Sequence, residues 1–385
     1  MKILFDHQIY EMQQVGGISR YFHELKKGLS TLGVGYELPI VYSENQYLLT
    51  SDNISPAPFP KGLDGFMPKR RFKGKKHLFR IRERLAPEPD FRAVNKASTI
   101  AALRRGDFDI FHPTYYDDYF LPYLNGKPFV LTVHDFTHEI YPEYFFKDPY
   151  PPMKCRLIKE AAHIVAVSEN TKNDAIRLFQ VNPSRITVAA HGPSLNDIDP
   201  KQLRVPGRYF LFVGGRDLYK NFYFFLRAVR PLFVGDSNLH VVCTGKALSF
   251  RELEYIANLG LAGRVVQISA DDAEIAYLYK HAIAFVFPSL HEGFGIPVLE
   301  AFSCGCPVLA SDIGALVEVA GDAALYFSPK NYEAIYQCMR RVLSDSSLRT
   351  QLIELGYERV KLFSWQQMVK VTTGIYRAIA ASEKK

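Results

Sequence analysis

The stretch Phe287-Pro288-Ser289-Leu290-His291-Glu292-Gly293-Phe294-Gly295-Ile296-Pro297-Val298-Leu299-Glu300-Ala301 sets two glutamates, with seven residues between them, across a loop-to-helix junction. Ala282 to Phe287, just before it, is a short apolar run with Phe and Val, closed by Pro288, and reads as a buried strand. Gly293 and Gly295 permit a tight loop in which backbone can approach a ligand. Pro297 suits the first helical position, and Gly305 followed by Pro307 marks the stop, so the spacing predicts a helix of about two turns. Glu292 then lies on the loop and Glu300 about one turn into the helix. A helix N-terminus at the end of a parallel strand offers free N–H groups and a positive dipole to phosphate. Two carboxylates beside it accept hydrogen bonds from sugar hydroxyls.

Outward from this segment, short β-rich runs alternate with helical patterns almost from end to end, the signature of an α/β fold with parallel sheets. Strands are expected at Lys2–Phe5, Glu37–Val41, Ile110–His112, Phe129–His134, Ile164–Ser168 and Ile186–Ala189 in the first half. The second half should hold Tyr209–Val213, His240–Cys243, Val265–Ile268, Ala282–Phe287, Pro307–Ala310 and Ala324–Phe327. Each half has enough strands for its own doubly wound sheet. The polar, proline-rich stretch from His191-Gly192-Pro193 to Val205-Pro206-Gly207 separates them. This gives an N-terminal domain over 1–195 and a C-terminal domain over 196–364. Open α/β sheets bind ligands beyond the carboxyl ends of their strands, so two such sheets facing one central cleft would enclose two substrates.

At 385 residues, two domains are the natural expectation. Nearly half the residues are apolar (48%) and 23% are charged, which excludes a disordered chain. The net charge of +7 favours anionic partners. Cys155, Cys243, Cys304, Cys306 and Cys338 are odd in number and widely spaced, which suits a reducing compartment. The amino end is polar too soon for a signal peptide, and no apolar run approaches a membrane span. A cytoplasmic location follows as the expectation, with any contact at the inner face of the membrane peripheral.

Several other positions carry chemistry. Val213-Gly214-Gly215-Arg216-Asp217-Leu218-Tyr219-Lys220-Asn221 follows a strand and precedes the apolar helix pattern Phe222 to Val229. Cations at a helix start oppose the dipole, so Arg216 and Lys220 call for a reason beyond ordinary surface charge. Gly16 and Gly17 follow the first strand and open a helix pattern from Ile18 to Leu29, as either a ligand-facing loop or a plain turn. No G-x-G-x-x-G is present, against a nicotinamide or flavin site. Thr132-Val133-His134-Asp135 ends an apolar strand, so His134 should emerge at the carboxyl edge of its sheet, as a functional group or a backbone-capped histidine. His134 and His138 lack the H-E-x-x-H frame of a zinc helix, and Cys304-Gly305-Cys306 lacks further ligands, so no metal site is expected. Ser168-Glu169-Asn170 either meets an acceptor or caps the next helix. The basic run over 69–85, with Phe72, Leu78, Phe79, Ile81 and Leu85 interleaved, is either a solvated loop or an interfacial element against anionic lipid. No nucleic-acid module accompanies the charge.

The glutamate-bearing segment closely resembles the E-x7-E motif of the retaining glycosyltransferases of family four, also called group 1 glycosyltransferases. Residues 213–221 resemble that family's diphosphate loop. Ser311-Asp312-Ile313-Gly314 through Glu318-Val319-Ala320-Gly321-Asp322-Ala323-Ala324 resembles its next strand and helix, and Phe363-Ser364-Trp365 its entry to the last helix. The likeness is strong over 209–330 and looser over the N-terminal half. It implies the GT-B arrangement of two Rossmann-like domains facing a cleft, with a last helix, about 365–381, that crosses back to the first domain. It further implies a retaining, metal-independent hexosyl transfer from a GDP- or UDP-linked sugar to a glycan or lipid-linked acceptor, with no cofactor beyond the donor. On this resemblance Arg216 and Lys220, beside Gly215, neutralise the diphosphate, Glu300 holds the ribose, and Glu292 and His134 meet the reacting sugar. Backbone N–H groups of Phe294 and Gly295 would face sugar or phosphate, and the base would rest near Gly245, Lys246 and the loop after Ile268. Two other readings share the two-domain pattern: a hydrolysing nucleotide-sugar epimerase, which is not expected to carry E-x7-E, and a catalytically inactive nucleotide-sugar-binding scaffold. Two carboxylates alone would also suit a glycosidase, but sequence spacing does not fix their separation in space.

Overall fold

Apolar runs of four to six residues, rich in β-branched and aromatic side chains, become strands in the computed structural model. It describes residues 1–49, 54–61, 63, 66–67, 72–195, 198–216 and 218–382. The chain divides into two compact units. The first comprises Met1–Thr132, Pro152–Val165 and Val369–Lys385, and the second comprises Val133–Pro151 and Ala166–Met368. The division expected near residue 195 thus falls within the second unit, and Val369 onward, most of the last helix Trp365–Ser382, clusters with the first.

In the first unit β1 (Lys2–Phe5) is paired in parallel with β2 (Gly35–Glu37) on one side and β3 (Ile110–His112) on the other. The strand expected at Glu37–Val41 begins and ends earlier, because Pro39 has no N–H to give to a ladder. β4 (Val130–Val133) and β5 (His163–Ala166), all but their last residues within this unit, are neighbours in a second sheet, and β6 (Ile186–Val188) lies in the second unit. The helix Gly17–Thr31 buries Tyr21, Phe22, Leu25 and Leu29, which repeat at helical spacing. Gly28 on that helix allows Val369 to pack close, since a Cβ there would meet the valine methyls at 2.4–2.5 Å.

The second unit is built on six parallel strands: β7 (Arg208–Phe212), β8 (Leu239–Thr244), β9 (Val265–Ile268), β10 (Ala284–Phe287), β11 (Val308–Ser311) and β12 (Ala324–Phe327). Their order is β12-β11-β10-β7-β8-β9. β10 is buried along its whole length (AFVF), as a parallel strand covered on both faces must be. From β7 the chain winds outward through β8 and β9, then returns to β10 beside β7 and winds the other way. The β7/β10 pair is therefore a topological switch point, where loops leaving the carboxyl ends of two neighbouring strands diverge and leave room for a ligand. Lys220 follows β7 and Glu292 follows β10.

Candidate functional site

The loop after β7 makes a short 3-10 turn, Leu218–Lys220, and Asn221 then takes a left-handed conformation (φ 63°) to start the helix Phe222–Val229. Asn221 Nδ2 donates to the carbonyls of Pro288 (3.0 Å) and Pro329 (2.8 Å), and Leu290 N donates to Tyr219 O (2.8 Å). These bonds lock the Lys220 turn against the end of β10. Lys220 Nζ thereby reaches Glu292 Oε1 at 2.7 Å, with the two side chains 21% and 13% exposed. Burial alone would push the Lys220 ammonium down, but the Glu292 carboxylate outweighs it and holds the lysine above its usual value. Among the described residues, Lys220 is the partner of one Glu292 oxygen, and Oε2 has no protein partner.

Past Glu292 the chain is fixed from three sides. The Gly293 carbonyl accepts from Ser168 Oγ (2.6 Å) and Thr171 Oγ1 (2.9 Å). A Cβ at Gly293 would lie 1.7 Å from the His134 carbonyl oxygen, so glycine is required by close backbone approach. Gly295 has φ +114° and forms the N-cap of the helix Ile296–Ser303, with Pro297 in its first turn. That helix buries Val298, Leu299, Ala301 and Phe302, each large apolar side chain contributing roughly 1.5–3 kcal/mol. Glu300 is left partly exposed, where Tyr279 Oη donates to its Oε2 (3.4 Å). Ser168 also caps the helix Glu169–Phe179 by accepting from Thr171 N, so the capping alternative holds and an anchoring role is added to it.

His134 follows β4 and is 9% exposed, its ring parallel to that of His191 (6.2 Å, 8°). His191 in turn meets the rings of Phe294 and Trp365. Burial, with His134 beside it, drives the His191 imidazole well below its usual range and keeps it neutral. His291 bridges two segments: its Nδ1 lies 2.9 Å from Thr137 Oγ1 and its Nε2 3.4 Å from Asp174 Oδ2. Burial would raise the Asp174 carboxyl, but His291 and Arg177 more than offset it and hold it below its ordinary value. His138 is paired with the Asp148 carboxylate and stacked on Phe145 (3.8 Å).

Arg216 is placed differently from Lys220. Its Nε donates to Glu252 Oε1 (2.6 Å), Nη1 to the Thr244 carbonyl (2.9 Å), and Nη2 to those of Lys246 (2.6 Å) and Ala247 (3.3 Å). The guanidinium therefore shapes the Gly245-Lys246 loop, where the Cβ-free Gly245 lets that loop pass against Gly214 O. Glu252 also closes a capping box with Ser249, and together these bonds hold its carboxyl below the usual range despite burial. Asp217, between Arg216 and Lys220, lies outside the described residues. Gly16 and Gly17 sit in the first unit at the N-cap and first position of the helix Gly17–Thr31.

Sequence reasoning passed over Asn221, Asp174, His191, His291 and Glu252. The Ser249–Glu252 capping box was legible as S-x-x-E, and Asn221 stood at a helix start. Nothing in the order of residues signals the pairings of Asp174 with His291 or Arg216 with Glu252, whose partners lie far apart in the chain.

Residues 15–196 match the family model described as Glycosyltransferase Family 4, and residues 196–359 match that described as Glycosyl transferases group 1. The chain is 29% identical over 328 residues to O-antigen chain mannosyltransferase B of Escherichia coli, covering 75% of this chain and 85% of that protein. It is 30% identical over 315 residues to the MMP alpha-(1->4)-mannosyltransferase of Mycolicibacterium hassiacum, covering 76% of each. Among solved structures it resembles sucrose-phosphate synthase from Thermosynechococcus elongatus (TM-score 0.72, 18% identity, 99% of each chain). It also resembles WaaG, a glycosyltransferase involved in lipopolysaccharide biosynthesis (TM-score 0.68, 14% identity, 98% of this chain and 99% of that one). The fold these structures share with the chain is GT-B.

Proposed function

The chain belongs to the group 1 glycosyltransferases, and from that premise we propose a retaining, metal-independent transfer of a hexose, mannose foremost, from a nucleotide-sugar donor to a glycan or lipid-linked acceptor in cell-surface polysaccharide synthesis. The observation that carries the reading is the Lys220–Glu292 pair at the β7/β10 switch point. A fixed cation beside a carboxylate with one free oxygen matches a departing diphosphate next to a hydroxylated sugar. Lys220 supplies the positive charge that a divalent ion supplies elsewhere. Arg216 frames the adjoining loop, and it reaches a diphosphate by releasing the Lys246 or Ala247 carbonyl. Glu300 takes the ribose, Phe294 and Gly295 offer backbone N–H groups, and His134 lies with Glu292 toward the reacting sugar. Gly16 and Gly17 are the ligand-facing backbone of the first unit. Mannose is favoured because the Escherichia coli and Mycolicibacterium hassiacum relatives are mannosyltransferases.

The test is a melting panel of GDP, UDP and their hexose conjugates in EDTA, followed by product analysis of the best donor. A bound ligand at 100 times its Kd adds about 2.7 kcal/mol of stability, worth roughly 2–4 °C per kcal/mol in a domain of this size. One nucleoside diphosphate should raise the transition in chelator, and the product should keep the donor's anomeric configuration. A protein whose melting responds to none of them, or an inverted product, removes the proposal.

Membrane contact belongs to the same reading. The helix Lys75–Leu85 has no buried residue, and Leu78 (46%), Ile81 (42%) and Leu85 (82%) are exposed along one stripe among lysines and arginines. Lys69, Arg70 and Arg71 of the basic run lie outside the described residues, and none of the described helices is long and apolar enough to cross a membrane. The proposed contact is peripheral, with the cations on anionic headgroups and the stripe in the interface. Vesicles rich in phosphatidylglycerol should co-sediment the protein at low salt, and the Ile81→Asp variant should stay in the supernatant. Equal recovery of both proteins would exclude the helix as the contact.

A further inference from the structure

The second unit holds a pocket of about 240 Å³ whose lining, Glu292 apart, has no part in the roles proposed above. Its polar wall is Asn170, Asp174, Arg177, His291 and Glu292. Its apolar wall includes Ile140, Leu290 and Ile313. We propose that this pocket receives one pyranose ring of the acceptor, an inference that rests on the sugar-transfer reading.

The chemistry of the wall selects the ligand class. Asp174 Oδ1 accepts from Arg177 Nη2 at 2.6 Å, while Oδ2 receives two long contacts, from Asn170 Nδ2 at 3.3 Å and His291 Nε2 at 3.4 Å. Long bonds are weak and leave the oxygen open to a better donor. Glu292 contributes its free Oε2. Two carboxylates repel an anion, and their charges are already balanced by Arg177 and Lys220, so a cation has little to gain. A neutral polyol gains from both, because each hydroxyl donates to a carboxylate and accepts from an N–H. Across from this rim, the aliphatic surface suits the C–H face of a sugar ring. The volume falls below the roughly 300–1,000 Å³ of sites for drug-sized ligands, so one ring fits and a longer glycan extends outward.

The position selects acceptor over donor. Of the residues assigned to the donor, Glu292 alone borders the pocket; Lys220, Arg216, His134, Phe294, Gly295 and Glu300 do not. Glu292 thus separates two sugars, the one leaving phosphate and the one receiving it.

The experiment is saturation-transfer NMR on the full chain with methyl α-mannopyranoside and methyl α-glucopyranoside as probes, in the presence of GDP or UDP. Ring protons of at least one probe should be saturated. Affinity should fall roughly tenfold in Arg177→Ala and Asp174→Ala, as loss of a charged hydrogen-bond partner predicts. The nucleotide-induced rise in melting temperature should be unchanged in both. Arg177 is 60% exposed and its truncation leaves the core intact, so that variant decides if Asp174→Ala does not fold. Binding of neither probe, or binding that survives Arg177→Ala, overturns the subsite. Probe binding that depends on these residues without any nucleotide response would instead preserve the subsite and remove the donor reading.

Discussion

Lys220→Ala should lower kcat by about 10²–10³-fold while the protein still folds. Negative charge grows on the diphosphate as the glycosidic bond breaks, and the Lys220 ammonium is the cation held at the mouth of the β7/β10 switch point. Glu292 keeps it charged at any physiological pH, since the pairing outweighs the effect of burial. The turn that carries it is fastened by Asn221 and by the Leu290–Tyr219 backbone bond, none of which uses the lysine side chain. A modest loss of stability is expected from leaving the Glu292 carboxylate alone, limited because that pair is partly open to water. Lys220→Arg, which keeps the charge but not the shape, should fall between the wild type and the alanine variant. Steady-state kinetics with the best donor, alongside a melting curve, checks this. A kcat within tenfold of wild type for Lys220→Ala would take the phosphate role away from this residue.

Gly293→Ala should cost about 3 kcal/mol or more, read as a fall in melting temperature of roughly 6–12 °C, and should abolish transfer. The added methyl would sit 1.7 Å from the His134 carbonyl oxygen and 2.8 Å from Asp135 Cβ, so the backbone itself has to yield. It cannot yield freely, because Ser168 and Thr171 hold the Gly293 carbonyl from the other side. Gly235→Ala is the matched control, since a Cβ there meets nothing within 4 Å. Its melting temperature should stay within about 2 °C of wild type. If both variants melt with the wild type, the loop after Glu292 does not abut the strand end at His134.

Much of this is legible in the order of residues alone. The apolar run before Pro288, the two glycines and Pro297 define a strand, a loop and a helix, and Ala284–Phe287 and Ile296–Ser303 lie where that reading puts them. The reason is that each feature is local: burial of a short run, permitted φ, and a missing N–H. The helix Phe222–Val229 and the strands at Val265–Ile268 and Ala324–Phe327 were read to the residue for the same reason. Arg216 was the harder case. Its environment depends on Glu252 and on carbonyls some 30 residues downstream, and a guanidinium with five donors can serve a ligand or a loop equally well. Asp174 and His291 are likewise joined across 117 residues, a distance over which neither periodicity nor capping carries information.

The two hydroxyls on the Gly293 carbonyl have one more effect. A trans peptide is rigid and planar, with its N–H pointing opposite to its C=O. Both lone pairs of that oxygen are occupied, so the plane cannot turn over without breaking two hydrogen bonds at once. The N–H of Phe294 is consequently aimed before any guest arrives, and the entropy of orienting it is settled during folding and not charged against recognition.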